Sequence, residues 1–425
     1  MADILLLPFG SAGDVFPFIW LGRQLKARGH RVTLITGQFF EGHTRAAGLE
    51  FIPVGEKDEI GAMVRDPRFW SPGQGGNIYF DTVASTLEPF LDAVESCVGA
   101  ELLLASAAMF AARLAREKLG IPLITVHLHP VLCPSAHETP LMFPGQRWLC
   151  HLPVWMKKAL FSLPHPIELM LLRKMRHLCK KHGVKPPRRL WRVWWDSPDG
   201  VLLTFPEWFY ATQPDWPENL LQWTFPLEDL AAEQPLENGL QAFLAAGDPP
   251  VVFSPGSSNV NAARFFEVAA QAVANTGCRA IFITIDPHQI PTNLPPLIHI
   301  VRYAPFGVLL RHASVFVHHG GIGSTSLAFA AGVPQLIMHI THDQPDNANR
   351  VERLGAGIGL SPRQFTPERV TSELKRLLSV DSFKAAARRC AEKISSNTDT
   401  EPLLSWIEQR LRSSRQHTSN SQRTD

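Results

Sequence analysis

Two α/β domains, each built on a parallel sheet, are the fold class that this 425-residue sequence predicts. Short apolar runs alternate with helical patterns through the first half, and the same alternation starts afresh near residue 250. Between the halves, residues 226–250 carry scattered prolines and acids and read as a linker. Alternation of this kind implies βαβ units, and two such domains in series leave a cleft. Ligands of these folds sit at the carboxyl ends of the strands.

In the first half, residues 4–8 read as a strand, Gly10-Ser11-Ala12-Gly13 as a turn and 15–28 as a helix. The β-branched run 31–36 is a second strand; 101–105, 122–126 and 201–204 follow, with helices over 78–98 and 107–118. In the second half, a strand over 251–254 ends in a Pro-Gly-Ser-Ser loop before a helix over 262–275. Strands over 279–285, 299–302, 314–318 and 335–338 come next, and a last helix over 400–411. The polar run from 413 to 425 reads as a disordered tail.

Composition narrows the function classes. Apolar residues at 45% and charged residues at 19% are globular values. A net charge of +2 gives no general case for nucleic-acid binding. Six scattered cysteines without a C-x-x-C pair argue against a disulfide scaffold or zinc site and fit a reducing compartment. The first residues lack a basic leader and no apolar run reaches 18 residues, so a cytoplasmic protein is expected. One segment departs from the balance: residues 147–195 hold twelve Lys/Arg against the single acid Glu168, with Trp148, Trp155, Trp191, Trp194 and Trp195 interleaved. Such a stretch suits an anionic membrane surface at the inner face, an amphiphilic ligand, or an ordinary solvated face.

The chemistry is densest around residue 320. A strand ends at His318-His319, a turn Gly320-Gly321-Ile322-Gly323-Ser324 follows, and a helix starts near Ser324. Glycines admit a ligand close to the backbone, and a helix N-terminus carries about +0.5 charge. This is a cradle for a diphosphate. A second loop, Thr341-His342-Asp343-Gln344, follows the next strand and lands beside the first.

With Tyr303-Ala304-Pro305, Gly332-Val333-Pro334 and Asp343-Gln344-Pro345-Asp346-Asn347-Ala348, these residues resemble the nucleotide-sugar motif of family 1 glycosyltransferases, which have the GT-B fold. The resemblance implies that Tyr303, beside Ala304, stacks on the nucleobase. It implies that His318 donates to the α-phosphate and that Gly320, Gly321, Gly323 and Ser324 hold the diphosphate. Asp343 and Gln344 would bind sugar hydroxyls, and Ser254, Gly256 and Ser257 would form a second phosphate loop. Tyr303 could instead be core, and Asp343 a helix cap. Tyr303 and Phe306 stand where plant members have Trp and a base-reading Gln, which opens the site to thymidine nucleotides.

The turn Gly10-Ser-Ala-Gly-Asp-Val-Phe-Pro17 resembles an element of the glycopeptide and sterol glycosyltransferases whose Asp is the proposed base. It maps onto Asp14, which could otherwise cap the helix that follows. Gly13 and Phe16 would line the acceptor site, and His127 and His129 are rival bases or, more in keeping with their place after the strand, walls of the acceptor pocket. No Asp-x-Asp occurs, so no metal is called for and the helix dipole with His318 would stabilise the leaving group.

The whole chain resembles the rhamnosyltransferase B subunit of rhamnolipid synthesis through Gly10–Ile19, 66–70, 197–201 and 205–227. The implied activity is inverting, metal-independent transfer of a hexose, rhamnose from dTDP-rhamnose, to a hydroxyacyl lipid. A UDP-glucose-dependent enzyme acting on a flavonoid, sterol or macrolide is the alternative, and a non-catalytic nucleotide-sugar-binding partner is the third. No cofactor is expected beyond the co-substrate. The division expected is an acceptor domain over 1–225, a linker over 226–250 and a donor domain over 251–396. A helix over 397–412 would return to the first domain.

Overall fold

Strand β1 (Asp3–Leu7) reads Asp-Ile-Leu-Leu-Leu and is buried on both faces, as a central parallel strand must be. The computed structural model describes residues 1–55, 58–71, 73–142, 146–227, 236–256 and 262–421. Around β1, six further strands complete an all-parallel sheet in the order β3-β2-β1-β4-β5-β6-β7. These are β2 (Arg31–Thr36), β3 (Glu50–Pro53), β4 (Leu102–Ser106), β5 (Leu123–His127), β6 (Val201–Leu203) and β7 (Leu220–Gln222). Helices α1 (Ala12–Ala27), α2 (Gly75–Ser96) and α3 (Phe110–Leu119) connect the earlier strands.

The second sheet repeats the plan with order β10-β9-β8-β11-β12-β13, again all parallel. Its strands are β8 (Val251–Ser254), β9 (Ala280–Ile283), β10 (Ile298–Val301), β11 (Val315–His318), β12 (Gln335–Met338) and β13 (Gly357–Leu360). Strand order reverses between β1 and β4 in one sheet and between β8 and β11 in the other. Those reversal points open the crevices in which doubly wound sheets bind ligands, and the turns after β1, β8 and β11 lie at them.

Two stretches, part of the linker and the tail, differ from the sequence reading. Within 226–250, helix α6 (Asn238–Ala245) buries Leu240 in the second domain's apolar core, and Phe243 stacks on His299 at 5.0 Å. This part of the expected linker is therefore domain structure; 228–235 lie outside the described residues. The basic segment folds into helices that include α4 (Val154–Ser162) and α5 (Pro166–Lys181). Its acid, Glu168, is fully buried and clamps Arg189 at 2.8 Å. The final helix, α12 (Glu401–Ser421), begins at the expected place and continues through 413–421, where a disordered tail was read. Extending a helix already begun needs no new nucleus, so a polar composition does not stop it.

That helix crosses to the first domain. Leu403, Leu404, Ile407 and Leu411 join the core under β1, and Glu401 and Glu408 pair with Arg28 and His30. Between α6 and α12 the second domain carries helices α7 (Ala263–Thr276), α8 (Ile322–Ala331), α9 (Gln344–Arg353), α10 (Pro367–Ser379) and α11 (Asp381–Ser395). No helix among the described residues is long and apolar enough to cross a membrane.

Candidate active site

On the first domain, the chain leaves β1 and turns at Gly10, whose φ of 135° suits only glycine. A Cβ here would lie 2.2 Å from Asp14 Oδ2, so the missing side chain makes room for the carboxylate. Ser11 caps α1, and Asp14 in its first turn folds back to accept from Ser11 N at 2.7 Å and Ser11 Oγ at 3.1 Å. Asp14 is thus not the cap itself but the residue reaching back to it. Burial raises its pKa to about 6, against the lowering influence of His129 and the Ser11 N–H; the negative Asp343 of the other domain raises it further. A carboxylate of that basicity is suited to take a proton near neutral pH.

His129 follows β5. Burial pushes its pKa down to about 4 in spite of Asp14, so it is neutral at physiological pH, and its Nδ1 is buried without a partner. His127, placed in the acceptor wall by the sequence, is instead 1% exposed and bonded through Nε2 to Asp196 Oδ1 at 2.6 Å. It belongs to the core of the domain. Gly13 is exposed on the first turn of α1, and Phe16 stands by Phe40 and His43 at 6.3 and 5.4 Å. Tyr79, which the sequence reading passed over beside Phe80, packs edge-on to Phe9 at 5.3 Å, and burial with nearby Asp14 pushes its phenol pKa up.

On the second domain, Gly320 has φ 92° and a Cβ there would lie 2.5 Å from Ile337. Gly321 caps α8. The opening N–H groups of a helix lack partners within it. That of Ile322 donates to Asp343 Oδ2 at 2.9 Å, which leaves those of Gly323 and Ser324 for an anion.

His318 does not reach this cradle. It is completely buried, its Nδ1 accepts from Gly320 N at 3.1 Å, and its Nε2–H donates to Gln335 Oε1 at 3.0 Å. Burial first, and His319 second, hold its pKa down near 3. Both ring nitrogens are spent inside the domain. Successive residues leaving a strand face opposite sides, and it is His319 that lies against the glycine turns. Its ring would be 2.6 Å from a Cβ on either Gly256 or Gly321. It is neutral, with a pKa lowered to about 4 by burial, and its Nδ1 is buried and unpartnered. The two glycines thus make space for an imidazole wedged between the β8 loop and the start of α8.

The other residues expected to bind the donor lie at or after the ends of β8, β10 and β12. Ser254 ends β8 and accepts from Gly256 N at 3.4 Å; Ser257 lies outside the described residues. Tyr303 is 57% exposed after β10, while Ala304 is buried. Asp343 accepts from Asn347 Nδ2 at 2.7 Å as well as from Ile322 N, and burial raises its pKa. Gln344 is 2% exposed, and its carboxamide oxygen accepts from Ile340 N and Thr341 N at 2.8 and 3.3 Å. It shapes the loop, which leaves only its NH₂ for a sugar.

Sequence reasoning missed what the rest of this motif does. Asn347 ties Asp343 to Gly320 O at 2.9 Å. Asp346 and Arg350, one helical turn apart, are paired at 2.6 Å in the interior, and Arg350 also meets Glu138 Oε1 at 3.0 Å and lies 3.8 Å from the Tyr210 ring. The i, i+4 spacing was the available signal; that this pair fastens one domain to the other was not visible. A cavity of about 790 Å³ opens on the other side of α9, lined by Arg147, His339, Glu352 and Arg376, and contains neither Asp14 nor the glycine turn.

Residues 4–137 match the glycosyltransferase family 28 N-terminal domain, and 266–407 match the C-terminal domain of erythromycin biosynthesis protein CIII-like proteins. The chain is 26% identical to O-mycaminosyltylonolide 6-deoxyallosyltransferase of Streptomyces fradiae, over 96% of this chain and 97% of that one. It is 23% identical to 4'-demethylrebeccamycin synthase of Lentzea aerocolonigenes, over 96% and 99%. Among solved structures, the calicheamicin glycosyltransferase CalG4 superposes with a TM-score of 0.71 at 22% identity, covering 97% of this chain and 98% of that one. The spinosyn rhamnosyltransferase SpnG complexed with thymidine diphosphate gives 0.66 at 19%, covering 96% and 100%. With the glycosyltransferase family 28 model on the first domain, the erythromycin biosynthesis protein CIII-like model on the second and two all-parallel sheets, the chain is a glycosyltransferase with the GT-B fold.

Proposed function

We propose that this enzyme transfers a hexose, with inversion, from a nucleoside diphosphate sugar to the hydroxyl of a hydrophobic, lipid-like acceptor. The observation that carries the reading is Asp14: a carboxylate with a pKa raised to about 6, close enough to Asp343 across the cleft to feel its charge. The acceptor oxygen attacks the anomeric carbon while Asp14 takes its proton. The bond from that carbon to the diphosphate oxygen breaks, and the diphosphate leaves with the electron pair. His319, the N-terminus of α8 and the Ser254 loop would meet that charge. Asp343 and the Gln344 amide would hold sugar hydroxyls, and exposed Tyr303 offers a stacking face for the base.

The finer reading is rhamnose from dTDP-rhamnose to a hydroxyacyl lipid. It is supported by the resemblance to rhamnolipid enzymes and by the apolar surroundings of Asp14, Phe9 and Tyr79 among them. A second reading, transfer to a polycyclic or macrolide small molecule from UDP-glucose or another donor, draws on the names of the relatives above. Thermal-shift measurement against dTDP- and UDP-sugars separates them, since a ligand of the folded state raises Tm by RT ln(1 + [L]/Kd). The first reading expects the largest rise with dTDP-rhamnose; a rise confined to UDP-glucose would favour the second.

A peripheral membrane contact belongs to the same proposal, at the cytoplasmic face. Trp148, Trp155, Leu160, Leu163 and Leu169 are exposed along α4, α5 and the turn before them, with Lys158, Arg173, Lys174 and Arg176 also exposed. Aromatic and aliphatic groups among cations suit an anionic bilayer, each cation adding about 1 kcal/mol near the surface. The protein should sediment with vesicles containing phosphatidylglycerol and not with phosphatidylcholine alone. The double variant W155A/L163A should bind them roughly tenfold more weakly. Equal binding by that variant would remove this face from the proposal.

A further inference from the structure

His342 is the one described non-glycine residue with positive φ, 59°. A side chain disfavours that left-handed conformation, and here it falls on the residue immediately before Asp343. In its own domain it is the first corner of the Thr341–Gln344 turn, which Gln344 N closes on Thr341 O at 3.2 Å. The imidazole leaves that domain and enters the first one, lying 4.6 Å from the Phe69 ring at 31° and 5.9 Å from Trp70, edge-on. Its Nε2–H donates to Phe69 O at 3.0 Å.

The receiving pocket is built for a ring. Pro67–Trp70 forms a single 3-10 turn whose start is capped by Asp66, which accepts from Arg68 N at 2.8 Å. Trp70 is held by its indole N–H on Val64 O at 3.0 Å. Gly75, the first residue of α2, completes it: a Cβ there would sit 3.2 Å from His342 Cε1 and would also collide with Phe69 O. Burial lowers the imidazole's pKa and keeps it neutral, so it enters without a charge to desolvate.

We infer that His342 is a cross-domain positioning residue, held in its left-handed conformation by the Phe69–Gly75 pocket so that Asp343 is set over the donor sugar only when the two domains are together. The inference rests on the proposed sugar-binding role of Asp343. When the domains part, the imidazole loses its pocket and the loop relaxes, so Asp343 swings from the Ile322 N–H it now accepts from. Sugar placement would thereby be tied to the same closure that brings Asp14 to the anomeric carbon. A nucleoside diphosphate, which needs only the glycine turns and Tyr303, would not sense it.

The test uses the full-length enzyme and the sugar nucleotide that raises Tm most in the donor panel. H342A and G75A lie in different domains, and each should lower kcat by roughly 10²-fold, the effect of a 1 Å misplacement of reactants. Affinity for thymidine diphosphate should stay within about twofold. The double variant should be no slower than either single one, because both break one contact. H342G frees the backbone but lacks the ring, and should be as slow as H342A. Wild-type turnover in H342G, or single effects that multiply in the double variant, would overturn the inference. Should G75A not fold, the H342G arm decides alone. D343A is the control: if it turns over at the wild-type rate, the sugar-binding assignment itself is at fault.

Discussion

Replacing Asp14 by Asn should lower kcat by roughly 10²–10⁴-fold, the range for loss of a positioned general base, and should change donor affinity little. The amide keeps the shape and can still meet Ser11, so α1 stays capped, but it cannot take the acceptor's proton. The pH profile supplies an independent check. With the folded pKa at about 6, the carboxylate is ionised above that value and protonated below it. The kcat/KM of the wild type should therefore be flat near pH 7.5 and fall tenfold per unit below about pH 6. His129 and His319, lowered to about 4, stay neutral through this window and add no limb to it. The Asn variant should lose the limb that Asp14 supplies, leaving only what Asp343, whose pKa burial also raises, contributes. Full activity in the variant would remove Asp14 from the chemistry, whereas a slow variant that keeps the limb would assign the titration to another group.

The second large effect separates two adjacent histidines. His319→Ala removes the imidazole between Gly256 and Gly321, whose Nδ1 lacks a partner. A hydrogen bond to a charged group is worth about 1.5–3 kcal/mol, or roughly 10- to 150-fold, so thymidine diphosphate binding should weaken by that factor with little change in Tm. His318→Ala acts the other way. It leaves Gln335 Oε1 and the Gly320 N–H without their partner and opens a void in the core, at a cost of about 2–4 kcal/mol. Its Tm should drop by several degrees. Isothermal titration and melting curves on the two variants decide it; the opposite pattern would restore His318 as the phosphate ligand.

That pair shows where sequence legibility ended. The strand over 314–318 was readable because its apolar run is continuous, and the turn after it because glycines are concentrated there. Which of two neighbouring histidines faces the cleft depends on where the strand stops, and one residue of phase exchanges the faces. Strands β1, β2, β4, β5, β8, β11 and β12 carry the same apolar signal. By contrast, Gly357–Leu360 is Gly-Ile-Gly-Leu, with half its residues poor strand formers, and it reads as a strand only because β12 pairs with it. The positions of Asp14, Asp343 and the glycine turn just after strand ends were legible as a pattern. Long-range contacts were not: Arg350 to Glu138 and His342 to Phe69 join residues more than two hundred positions apart, and no local periodicity announces them.

The most direct test of the whole account is the product. The enzyme would be incubated with dTDP-rhamnose and a 3-hydroxyacyl lipid, and the product examined by mass spectrometry and by NMR of the anomeric proton. The expected product is a lipid heavier by one deoxyhexose residue, with the anomeric configuration inverted relative to the donor and formed roughly 10²–10⁴-fold more slowly by the Asp14→Asn variant. A product of retained configuration would contradict the single displacement at Asp14, and free sugar as the only product would contradict the acceptor.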